Sequence, residues 1–249
     1  MKKKNRVIAL IPARYAATRF PGKLMSLLGG KTVIRRTCES AVATRLFDEV
    51  IVVTDSQIIY QEITSFGGKA MMSHQEHACG SDRIAEAAAQ FPDADIIVNV
   101  QGDEPFTDKA PLEKLLAVFE APDSETIDLA SLMQRIECPE QIDNPNAVKV
   151  VVDQNRMALM FSRSRIPFPR DPDGVVYYKH IGIYAFRRNA LIEFSRTPIT
   201  PLERAEKIEC LRYLETGKKI KMVEVPCMGV GIDTPEDLLA AEKYLSGKA

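Results

Sequence analysis

Short runs of aliphatic and β-branched residues alternate along this chain with longer stretches in which apolar positions recur every three or four residues. Residues 7–11, VIALI, are the first run, of the kind a strand buried on both faces requires. Pro12 has no N–H to give and predicts the end of ladder pairing. Residues 31–46 predict a helix, with Val33, Ile34, Thr37, Ala41 and Val42 on one stripe. Residues 50–54 are a second strand with Asp55 at its carboxyl end, and 57–66 a second helix stopped by Gly67 and Gly68. This β-α-β-α order implies a parallel sheet with right-handed crossovers. A short strand at 69–72, a polar loop at 73–80 and an Ala-rich helix at 81–91 follow, with Ser81 as the expected N-cap. The strand at 95–100 runs into Gln101-Gly102-Asp103-Glu104-Pro105, ahead of a helix at 111–119 and a strand at 127–136.

The pattern then changes. Residues 148–152 and 158–161 read as a β-hairpin about the turn 153–156. Residues 162–174, rich in Pro, Arg and Asp, predict a long surface segment, and 175–186, VVYYKHIGIYAF, a strongly β-forming one. This antiparallel-looking part reads as an insertion beside the main sheet. The series resumes with a helix at 202–216 carrying Leu202, Ala205, Ile208, Leu211 and Leu214, capped by Gly217, and a strand at 220–225. In the last turn Thr234 reads as an N-cap, Pro235 as the first helical position, and Glu236 and Asp237 as acids of the first turn.

A length of 249 residues and a hydrophobic fraction of 45% suit one large α/β domain, or one with an insertion. The net charge of -1 does not indicate a nucleic-acid polymer as partner. Cys38, Cys79, Cys138, Cys210 and Cys227 are scattered without a C-x-x-C pair, which argues for a reducing compartment and against a structural zinc. Pro12 and Arg14 interrupt the basic, apolar start before it reaches the length of a secretion signal. No apolar run approaches the ~20 residues of a membrane span.

The chemistry concentrates in loops. Arg14, Arg19 and Lys23 follow the first strand, with Pro21-Gly22 as a turn signal. In an open α/β sheet, ligands bind where loops leave the carboxyl ends of strands. Three cations there suit a polyanion such as a nucleoside triphosphate, the alternative being an ordinary solvated turn. Asp103 and Asp233 lie in turns of the same layer. Two carboxylates near a triphosphate suggest Mg²⁺, although acids are also plain turn formers. The His74 and His77 pair has no third ligand nearby, so it does not read as a zinc site. Alternation places His180, Gly182 and Tyr184 on one strand face, Lys179, Ile181 and Ile183 on the other. If the second set faces the core, His180 and Tyr184 look into a cleft; a packed, hydrogen-bonded histidine is the alternative. Glu209 and Arg212, at i and i+3, read as a surface ion pair on pattern alone. No G-x-S-x-G elbow, Walker A lysine motif or G-x-G-x-x-G fingerprint occurs at the expected places.

Taken in order, IPARY at 11–15, TRFPGK at 18–23, CGSDR at 79–83 and VQGDEP at 100–105 resemble one family. So do FSRS at 161–164, KHIGIYAFR at 179–187, ECLR at 209–212 and GIDTPEDL at 231–238. The family is that of 3-deoxy-manno-octulosonate (Kdo) cytidylyltransferases, also called CMP-Kdo synthetases, and the likeness runs nearly end to end. It implies an α/β fold of the nucleotide-diphospho-sugar transferase type, its central sheet mostly parallel. It implies one nucleotidyltransferase domain over 1–249, with a β-rich insertion at about 139–190 that contributes to the sugar site and to dimerisation. It implies that CTP and Kdo give CMP-Kdo and pyrophosphate with Mg²⁺, for lipopolysaccharide synthesis, in a cytoplasmic homodimer. The family pattern gives Arg14, Arg19 and Lys23 to the CTP phosphates, and Cys79, Gly80, Ser81 and Arg83 to the cytosine and ribose. It gives Asp103 and Asp233 to the metal, and Gln101, Arg163, His180, Tyr184 and Glu209 to the sugar acid. Catalysis would rest on Lys23, Asp103 and Asp233. Ala17, Leu24, Cys79, Ser81 and Cys210 depart from the pattern, and Cys210 touches the identity of the ulosonic acid. An amino-Kdo or sialic-type sugar, or a non-catalytic nucleotide-binding module, stays open at this point.

Overall fold

The computed structural model describes residues 5–16, 20–75, 77, 79–122, 124–171, 173–226 and 231–247. The chain divides into two compact units, one of Met1–Ala110 with Met228–Ala249 and one of Pro111–Cys227. The insertion expected at about 139–190 lies wholly within the second unit, which begins and ends well beyond it.

The first unit is built on β1 (Val7–Ala13), whose Ile8, Ala9, Leu10 and Ile11 are fully buried. Fully burying an Ile or Leu side chain stabilises by roughly 1.5–3 kcal/mol, so this strand anchors the layer. It runs on through Pro12 to Ala13, opposite Val53 and Thr54. The expected stop at Pro12 is thus displaced, because proline removes a donor but leaves its carbonyl and φ compatible with a strand end. The chain next makes a small antiparallel ladder of β2 (Leu27–Leu28) and β3 (Lys31–Thr32). That ladder takes Lys31 and Thr32 out of the expected helix, so α1 spans Val33–Ala43 with Thr32 Oγ1 accepting from the Arg35 N–H.

Next come β4 (Glu49–Thr54), α2 (Gln57–Ser65), β5 (Lys69–Met72), α3 (Gly80–Ala88) and β6 (Ile96–Asn99). The pairings β6–β1, β1–β4 and β4–β5 are all parallel. This is the expected α/β fold with a mostly parallel sheet. Cys79, not Ser81, is the N-cap of α3, and Ser81 lies buried in its first turn. The final helix, Pro235–Leu245, starts in a capping box: Thr234 Oγ1 accepts from the Asp237 N–H, and Asp237 Oδ2 accepts from the Thr234 N–H.

The second unit carries β7 (Leu129–Arg135), β8 (Lys149–Val152), β9 (Ala158–Ser162), β10 (Tyr178–Arg187) and β11 (Ile220–Glu224). β11 and β7 are parallel; β7–β10, β10–β8 and β8–β9 are antiparallel. The helix expected over 202–216 is two, Pro201–Glu206 and Cys210–Glu215. Lys207 between them takes a left-handed conformation, φ 54°, which ends the first helix. Leu202 is exposed in consequence, while Ile208 and Leu211 are buried. Among the described residues no helix is long and apolar enough to cross a membrane.

Candidate functional site

The carboxyl ends of β1 and β6 and the start of α3 enclose a cavity of about 390 Å³. Its walls include Arg14, Lys23, Cys79, Gly80 and Arg83, together with Gln101, Asp103 and Asp233. Eight residues singled out in the sequence therefore share one cavity, as loops at strand ends require. Ser81 is buried instead of lining it, and Arg19 lies outside the described residues.

Three local features bring the charges together. Gly22 adopts φ 70°, a left-handed value that favours glycine, and starts the 3-10 turn Lys23–Met25. Gly102 lies so close to the end of β1 that a Cβ there would meet the Pro12 carbonyl oxygen at 2.8 Å. Its own carbonyl accepts from Thr37 Oγ1 at 2.9 Å, so the 101–103 turn is fixed against both β1 and α1. The Ile232 N–H donates to the Asp103 carbonyl at 2.9 Å. That bond sets Asp233 beside Asp103, with the capping box holding the chain behind it.

Lys23 Nζ then donates to Asp103 Oδ2 at 2.5 Å and to Asp233 Oδ1 at 2.9 Å. Burial pulls the ammonium's pKa down, and the two carboxylates more than offset it, leaving Lys23 above the ordinary lysine value. Both carboxylates thus reach one cationic position. Two carboxylate oxygens that converge on one cation are a donor pair of the kind that fits Mg²⁺, which completes its shell with phosphate and water. Among the described residues no group of three or more acids, histidines or cysteines forms a protein-only metal cage.

Sequence reasoning missed two further parts of this cavity. Asp55, noted only as the end of a strand, accepts from Arg83 Nη2 at 2.6 Å. Arg83 Nη1 is buried and has no hydrogen-bond partner among the described residues. His77 lines the cavity and is held by Glu86. Nothing in the sequence pairs Glu86 with His77; the only pattern that marks His77 is the H-x-x-H pair, which does not read as a zinc site.

The remaining candidates belong to the second unit. His180 and Tyr184 are 9% and 5% exposed, and Ile181 and Ile183 are buried as well, so neither pair of side chains faces an open cleft. A register shift between Ile181 and Tyr184 breaks the simple alternation behind the cleft reading. His180 Nε2 contacts Ser131 Oγ at 3.0 Å, and its ring lies edge-on to Phe161. Burial pushes its pKa down to about 3, so it is neutral. Cys210 Sγ lies 4.0 Å from His180 Nε2, and burial raises its pKa. Arg163 donates to the carbonyls of Glu206, Pro145 and Lys207. Arg212 is buried and not at the surface as its helix pattern suggests. It binds Glu203 through two hydrogen bonds of 2.7 and 2.6 Å inside the core. Glu209 is the half-buried N-cap of the helix that carries Arg212.

The family model described as Cytidylyltransferase matches residues 8–220. A 3-deoxy-manno-octulosonate cytidylyltransferase of Flavobacterium johnsoniae is 62% identical over 241 residues, covering 96% of this chain and 98% of the relative. That of Christiangramia forsetii is 61% identical and covers 98% of both. A solved CMP:2-keto-3-deoxy-manno-octonic acid synthetase complexed with CTP superposes with a TM-score of 0.92 at 37% identity, over 98% of this chain and all of that one. A 4-diphosphocytidyl-2C-methyl-D-erythritol synthase of Anaerococcus prevotii, 16% identical at a TM-score of 0.66 over 97% of this chain and 99% of that one, shares the fold. The chain belongs to the 3-deoxy-manno-octulosonate cytidylyltransferase family.

Proposed function

We propose that this chain activates Kdo with CTP, releasing pyrophosphate, and that Lys23, Asp103 and Asp233 carry the reaction. One observation supports the assignment of residues most directly: a lysine and two carboxylates converge in a cavity whose other wall offers Arg14 and the unpartnered Arg83 Nη1. Arg14 and Lys23 neutralise the triphosphate, and Arg83, braced by Asp55, holds the nucleoside side. The anomeric hydroxyl of Kdo forms its bond to the α-phosphorus as the α–β oxygen bridge breaks. Pyrophosphate leaves with the bridging electrons, and the hydroxyl proton passes to water. Such a displacement depends on positioning and charge neutralisation more than on covalent catalysis. Mg²⁺ held by Asp103 and Asp233 would supply positive charge at the phosphate oxygens and lower the pKa of the attacking hydroxyl.

Gln101 lines the cavity and serves the sugar acid in this reading. Of the other residues that the family resemblance gives to the sugar acid, His180 and Tyr184 are buried and Arg163's guanidinium is engaged by three carbonyls, so these act as positioning residues, while half-buried Glu209 is the one left to contact it. A cytoplasmic homodimer follows from the same reading, and light scattering of the purified protein tests the dimer. The deciding experiment is pyrophosphate release with CTP, Kdo and Mg²⁺. Release that requires all three is expected; none in a folded preparation would defeat the proposal. Turnover of 8-amino-Kdo or a sialic acid in preference to Kdo would move the substrate assignment to that acid.

A further inference from the structure

His77, on the loop between β5 and α3, lines the cavity with a side chain only 9% exposed. Its ring is held through one nitrogen. Nε2 lies 2.7 Å from Glu86 Oε2 and 3.0 Å from Ser73 Oγ. Ser73 Oγ donates toward Glu86 Oε2 at 2.7 Å, with the Gln75 carbonyl as a weaker acceptor at 3.5 Å, so toward the ring it accepts. Glu86 also accepts from the His74 N–H at 3.1 Å. Burial raises the Glu86 pKa, but its donors outweigh burial and hold the group below the ordinary value, as a carboxylate. Both partners of Nε2 are therefore acceptors, and the ring proton belongs on Nε2. In the neutral ring Nδ1 is then an acceptor, and it has no partner among the described residues. Loop and helix are stapled at this point, so the acceptor is fixed before any ligand arrives.

We propose that His77 Nδ1 accepts from the exocyclic amino group of the nucleobase, and that Glu86, by fixing the tautomer, makes this cavity choose cytosine over uracil. The proposal rests on the CTP reading of the cavity. Cytosine and uracil differ at C4, where one carries an amino donor and the other a carbonyl acceptor. A fixed acceptor binds the first and faces a second lone pair in the other. A site built around one polar group rejects an analogue that cannot satisfy it far better than a merely apolar pocket does.

The test is equilibrium binding of CTP and of UTP to the full-length protein by calorimetry, beside kcat/KM for each nucleotide. Wild type should prefer CTP. His77→Phe keeps a flat ring without the acceptor, and should lower the CTP:UTP ratio about tenfold or more, chiefly through weaker CTP, the order of one lost hydrogen bond to a buried partner. Glu86→Gln, remote from the ligand, lets a carboxamide N–H face Nε2 and moves the proton to Nδ1. It should lower the same ratio while UTP binding improves. An unchanged ratio in both variants, or an equal loss of both nucleotides, overturns the assignment and leaves the CTP reading standing. A wild type that binds neither nucleotide overturns that reading and this one together. Circular dichroism of each variant separates these results from misfolding.

Discussion

Two polar clusters in this molecule use the same residue types to opposite ends. In the first unit Lys23 bridges Asp103 and Asp233, whose side chains are 28% and 50% exposed on a cavity wall. In the second, Arg212 clasps Glu203 with both groups in the core, its guanidinium stacked 3.9 Å over Phe194 and also donating to two carbonyls. An ion pair open to water is weak and can be re-partnered by an incoming phosphate or cation. An enclosed pair has no other partner to turn to, and losing half of it strands a charge. Access to solvent, not residue identity, separates charges that act from charges that hold.

The comparison can be broken from the enclosed side first. Arg212→Met should cost about 3–5 kcal/mol in urea unfolding, the usual effect of orphaning one member of a buried pair. A cost below about 1 kcal/mol would mean that the pair is not enclosed in solution. From the open side, Asp233→Asn preserves shape and should lower turnover by about 10²–10³-fold, the scale of one lost transition-state charge partner. The melting temperature should stay within a degree or two, and Mn²⁺ binding, read by electron paramagnetic resonance, should weaken. Normal turnover at low Mg²⁺ would return Asp233 to the status of a turn residue.

His180 gives a third contrast, through pH. Its pKa of about 3 lies below the ordinary 6.5. Between those values the unfolded chain binds a proton that the folded chain refuses, so stability is complete above 6.5 and falls as pH drops toward 3. The loss between pH 6.5 and pH 5 is on the order of 2 kcal/mol. His180→Gln should flatten that slope relative to wild type, and parallel slopes would show that the imidazole is hydrated. The smallest effect belongs to Asp55→Asn, which loosens Arg83. It should raise KM for CTP about tenfold, one charge-assisted hydrogen bond's worth, with kcat little changed. A changed kcat with constant KM would place Asp55 in the chemical step.

The first unit was legible because its signals are local. The runs at β1, β4 and β6 are too apolar to sit anywhere but inside a sheet, and the Thr234-Pro235 start announces its helix. The acids were legible as loop residues of one layer that should meet at one site, but the contact that brings them side by side was not. It depends on the Ile232 to Asp103 backbone bond, which joins distant parts of the chain. In the second unit local pattern misled. Nothing near Lys207 announces a left-handed residue, since its conformation is imposed by the packing on either side. Alternation failed at His180 because an irregularity in strand pairing put neighbouring faces alike into the core. Arg212 reads as a surface residue from its own helix, whereas Glu203, which it clasps in the core, lies beyond the helix break.

The bridge between Lys23 and Asp233 also sets a clock on synthesis. The two residues stand 210 positions apart, with the whole second unit made between them. At a translation rate of about 5–20 residues per second, roughly 10–40 s pass between their additions. During that interval the cavity lacks Asp233, and β2 lacks the final helix that packs against it. On the proposed assignment, a nascent chain can hold the first strands and the loop after β1 without being able to consume CTP. On that assignment activity is conferred late, by the same stretch of backbone that closes the first unit, and only chains that have finished both units turn over substrate.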